Sequence, residues 1–119
     1  MIRSMTALTL ALMFGVGTTA ARAHATLAGA QPRVGSSVAS APRQVTLTFT
    51  QRLEPGFSSI TVTGPSGQQV SAGRASVSGT TMSVPLRAAG PGTYQVNWRA
   101  LSVDTHTTEG SFSFTVGAR

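Results

Sequence analysis

A chain of 119 residues with nine basic side chains, three acidic ones and no cysteine has room for one small domain and carries a formal charge of +6. It excludes disulfide stapling and any cysteine-ligated metal. All nine bases are arginine, set singly along the chain with no basic run interleaved with aromatics, so nucleic-acid binding is not expected and the charge reads as a solubility feature.

Residues 1–23 have the three parts of a secretory signal: Arg3 in a short n-region, an apolar stretch from Thr6 to Gly17, and Ala21-Arg22-Ala23 as an A-x-A cleavage match. The apolar stretch, about a dozen residues, falls short of the ~20 that a spanning helix needs. Cleavage after Ala23 is therefore expected, which divides the chain into a signal peptide, 1–23, and a single domain, 24–119. No later run is long and apolar enough to span a bilayer, so no membrane insertion of the mature chain is expected. Export leads to a periplasm or to the cell exterior, and a monomer is expected.

The cut makes His24 the first residue. A terminal histidine offers a metal ion its freed α-amine and its imidazole Nδ1, which together close a six-membered chelate ring.

The rest reads as β structure. Val45, Leu47 and Phe49 alternate with threonines, and Ser59–Thr63 repeats the period of two before a turn at Gly64-Pro65-Ser66-Gly67. Val70, Val77 and the stretch 81–86 suggest further short strands, with Pro85 placing the last of them at an edge or a bulge. After the Gly90-Pro91-Gly92 turn, Tyr94, Val96, Trp98 and Ala100 alternate with polar residues, and Phe112, Phe114 and Val116 do the same. No amphipathic helix follows the signal. Strands at this spacing predict an all-β, two-sheet sandwich or small Greek-key barrel. The inward rows Val45/Leu47/Phe49, Tyr94/Val96/Trp98 and Phe112/Phe114/Val116 form its core.

Between the last two of these strands, in a loop read as 103–109, lie Asp104 and His106. Apart from His24 they are the only aspartate and histidine in the chain. Residues two apart on an extended segment project to one side, so carboxylate and imidazole can aim at one point. Two nitrogens from His24, one from His106 and an oxygen from Asp104 make an N₃O set. Cu(II) favours tetragonal nitrogen and oxygen donors and tops the divalent affinity order; zinc is the rival, and the terminal amine favours copper. The alternative for these residues is a solvated loop histidine and a chance N-terminal one.

From His24 to Val116 the sequence resembles the CopC family of bacterial periplasmic copper-binding, copper-resistance proteins. The likeness is carried by His24-Ala-Thr-Leu-Ala-Gly-Ala-Gln-Pro32, by the stretches 41–49 and 53–58, and most densely by 92–102, Asp104-Thr-His106 and 110–116. It implies a periplasmic location and an immunoglobulin-like β-barrel that holds one Cu(II) per mature chain through His24, Asp104 and His106, without catalysis. It also implies a CopD-type membrane copper transporter as partner; such a transporter is often fused to the family's domain, and a chain this short is not expected to include it. Two departures stand out. Gln51 follows Phe49-Thr50 where many members have glutamate, with Glu54 three residues on. The stretch 63–69, where some members carry a methionine-rich Cu(I) loop, has no methionine, so no Cu(I) site is expected from Met82 alone.

Two other functions compete. A copper oxygenase also uses an N-terminal histidine, but an anionic Asp104 donor favours Cu(II), and no aromatic platform for a polysaccharide is evident. A metal-free immunoglobulin-like interaction module is consistent with the Ser- and Thr-rich strands.

Overall fold

The computed structural model describes residues 25–117, so the signal segment, its cleavage site and His24 lie outside the described part. Eight strands form two four-stranded sheets. They are β1 (Leu27–Gln31), β2 (Ser37–Val38), β3 (Gln44–Phe49), β4 (Ser59–Thr63), β5 (Ser76–Ser78), β6 (Thr81–Pro85), β7 (Gly92–Leu101) and β8 (Thr107–Val116). One sheet has the order β1-β3-β6-β5 and the other β2-β8-β7-β4. All pairs are antiparallel except β2 with β8. Among the described residues one 3₁₀ turn, Pro55–Phe57, precedes β4.

The alternation seen in the sequence is what places the core. Val45, Leu47 and Phe49 of β3 face Ile60 and Val62 of β4, Tyr94, Val96 and Ala100 of β7, and Phe114 and Val116 of β8, all buried. Tyr94 stacks on Phe114 at 5.1 Å, and burial raises its phenol above the ordinary value. Its hydroxyl donates to the Gly90 carbonyl at 2.6 Å, tying β7 to the preceding turn. Trp98 and Phe112 are only half-buried at the rim of this core. Trp98 meets Phe49 edge-on at 5.0 Å and lies over Gly110, its register partner on β8. Met82 is fully buried, a core side chain with no access to a ligand.

Several expectations need correction. β6 lies inside its sheet, between β3 and β5, so Pro85 does not mark an edge. Leu86 N–H donates to the Arg43 carbonyl, which makes Gln44/Pro85 a non-hydrogen-bonded pair. The proline nitrogen therefore faces away from β3, past the end of β5, toward Ala72, whose N–H donates to the Pro85 carbonyl at 2.8 Å; the return bond of that pair is the one proline cannot make. Val70 lies in no strand; it sits between isolated bridges at Gln69 and Ser71. The loop before the last strand is shorter than 103–109, because β8 begins at Thr107. β1 and β2 escaped the pattern: Leu-Ala-Gly-Ala-Gln has little β-branched or alternating character, and β2 is two residues long.

Candidate metal centre

β7 and β8 run on as one long hairpin, and their connection carries the chemistry. Ser102 N–H donates to the His106 carbonyl at 3.0 Å, and Thr105 N–H to the Ser102 carbonyl at 2.8 Å. This is a three-residue hairpin loop, a tight turn closed by one residue in the left-handed region. That residue is Thr105, at φ 74°. A β-branched side chain there costs about 1–2 kcal/mol. Asp104 and His106 thus converge through a turn, not through the alternation of an extended segment.

The convergence itself is direct: His106 Nδ1 lies 3.3 Å from Asp104 Oδ1. Both side chains are accessible, at 50% for His106 and 41% for Asp104. The fully buried Ser102 hydroxyl donates to the same carboxylate oxygen and lies 3.2 Å from the His106 carbonyl. This hydrogen bond, ahead of those from His106, holds the Asp104 carboxyl below its ordinary 3.8. The site therefore keeps a negative charge near neutral pH.

Three other segments are fastened at this end of the sandwich. Ala25 is fully buried, and its carbonyl accepts from Thr108 Oγ1 at 2.8 Å. Thr26 N–H donates to Thr50 Oγ1, and Thr50 N–H to the Thr26 carbonyl, both at 2.9 Å. The segment 52–54 runs beside the loop: Val103 N–H donates to the Arg52 carbonyl at 2.9 Å, Glu54 N–H to that of Leu101 at 2.8 Å, and Leu53 bridges to Ser102. Gln51 and Glu54, both half-buried, belong to this crossing.

Of the three predicted ligands, Asp104 and His106 come together and His24 lies outside the described residues. Among the described residues no group of three or more His, Asp or Glu side chains gathers, so these two stand as a pair. Two donors set at right angles, each about 2 Å from one ion, lie about 2.8–3.0 Å apart, so a small adjustment of either side chain lets both hold the same divalent cation. Ser102 and Thr108 take part in the arrangement and no sequence signal singled them out.

Comparison with known proteins puts this geometry in context. The family model of the CopC domain matches residues 27–117. Copper resistance protein C of Escherichia coli is 36% identical over 121 residues, covering 92% of this chain and 93% of that protein. The crystal structure of CopC from Methylosinus trichosporium OB3b superposes with a TM-score of 0.73 at 32% identity, over 78% of this chain and 93% of that one. That of PcoC, a methionine-rich copper resistance protein from E. coli, gives 0.70 at 34%, over 80% and 100%. With the domain matched almost end to end and the sandwich shared, the chain belongs to the CopC family.

Proposed function

We propose that the protein is a non-catalytic Cu(II) carrier of the periplasm, which binds one ion per mature chain and sequesters it or passes it to a membrane transporter of the CopD type. The ion is held by the amine and imidazole of His24, a carboxylate oxygen of Asp104 and the imidazole of His106. The observation that carries this reading is the clasp between Thr108 and the Ala25 carbonyl. It fixes the residue that follows His24 against the strand position two beyond His106, and the next Cα toward the N-terminus is only ~3.8 Å away. Support for copper comes from the donor chemistry and from relatives named for copper resistance. The burial of Met82 and the methionine-free stretch 63–69 favour Cu(II) alone, in contrast to the methionine-rich PcoC.

Intact mass of the exported protein, with and without one equivalent of Cu(II), tests maturation and stoichiometry together. A first residue of His24, a single bound copper and a tetragonal paramagnetic resonance spectrum are expected. Loss of tight binding on His24→Ala, or on adding one residue before His24, is expected as well; undiminished affinity in either variant overturns the ligand set.

A further inference from the structure

The four edge strands of the sandwich are protected unequally. β1 carries a register shift between Leu27 and Gly29 and runs into Pro32; β2 has two residues and β5 three. β4, Ser-Ile-Thr-Val-Thr, has five residues in unbroken register with β7 and no charge, proline or bulge, the devices that usually blunt an edge.

Half of the β4 edge is already used. Val62 N–H donates to Ser71 Oγ at 3.0 Å, its carbonyl accepts from Val70 N–H at 2.8 Å, and Thr63 bridges antiparallel to Gln69. The chain then turns away through Gly73, at φ 80°. The antiparallel alternation that points Val62 outward also points Ile60 outward, so its N–H and C=O face the open edge. Ile60 lines a groove together with Gly56, Gln69, Gly73, Arg74 and Ala75. None of the main-chain hydrogen bonds formed outside the strands involves Gly73, Arg74 or Ala75. Arg74 is exposed and has no ion-pair partner among the described residues.

We propose that this groove is a docking site for an extended, acidic peptide segment of a partner protein, which adds a short strand to β4 beyond Ser71. Unpaired main-chain donors and acceptors at Ile60 and at 73–75 recognise peptide backbone, and Arg74 selects a carboxylate. A second copy of this chain fits poorly, since pairing two β4 edges brings two Arg74 side chains and two net positive charges together. The site is independent of the ion held near Asp104.

A random linear heptapeptide library displayed against the immobilised exported protein tests this. Enriched peptides are expected to alternate apolar and polar residues and to carry Asp or Glu. A synthesised winner should slow amide exchange at Ile60, and N-methylation of alternate amides should weaken it by about tenfold or more. Arg74→Gln should weaken the acidic peptide by about two- to fivefold with an unchanged melting temperature, while Arg33→Gln has no effect. Absence of enrichment, an unperturbed Ile60 amide, equal binding of the N-methylated peptide, or protection of Ile60 by self-association instead each overturns the proposal.

Discussion

Asp104 is held in its charged form by a neighbour that has no charge. The buried Ser102 hydroxyl, chiefly, holds the carboxyl below 3.8. A carboxyl depressed in the folded state adds stability that is complete above its unfolded value and lost as pH falls through its folded one. Metal-free Asp104→Asn protein should therefore show a flatter fall in melting temperature than the parent as pH falls through and below the ordinary 3.8. Ser102→Ala should lower copper affinity about ten- to a hundredfold, as loss of a group orienting a ligand does, and isothermal titration at neutral pH reads it directly. Asp104 and His106 were legible in the sequence because ionisable residues are scarce in this chain. Ser102 and Thr108 were not, because serine and threonine fill both sheets and only the fold decides which hydroxyls turn inward.

The β7–β8 hairpin shows how one missing side chain shapes an element. Gly110 pairs with Trp98, and a Cβ there would lie 2.5 Å from the indole Cζ2. The indole can therefore lie flat across β8 and seal the rim of the core beside Phe49. Gly110→Ala should cost about 1–3 kcal/mol, the usual penalty of overpacking, and change the near-ultraviolet circular dichroism of the single tryptophan. A denaturant midpoint equal to that of the parent would show the ring free to move aside. Strands β3, β4, β7 and the end of β8 could be read from alternation because each buries one face. The first turn of β8 could not, since Thr107, Thr108, Glu109 and Gly110 offer no apolar period; the loop was therefore expected to be longer than it is. The Gly- and Ala-rich β1 was missed for the same reason, lack of side chains to pack.

At the scale of the molecule, the proposed ion, held between the N-terminal segment and the last hairpin, would link the two sheets at one end of the sandwich. An ion that binds only the folded form stabilises it by about 4 kcal/mol at a thousandfold excess over Kd. Adding Cu(II) should raise the melting temperature accordingly, and no rise would count against the proposed site. Imidazoles and α-amines ordinarily release protons near 6.5 and about 7.7–8.0, so copper affinity should fall as pH drops through about 6–7. β8 holds the early chain at both of its ends: Thr108 clasps Ala25, while Val116 pairs with Val38 and Gly117 N–H donates to the Val38 carbonyl. Synthesis runs from the other terminus, so β1 can pair with β3 early, but these two clasps close only once the final strand has emerged. On the proposed ligand set, a nascent polypeptide then has no completed cage to load, and capture of cargo would be the last event in its assembly.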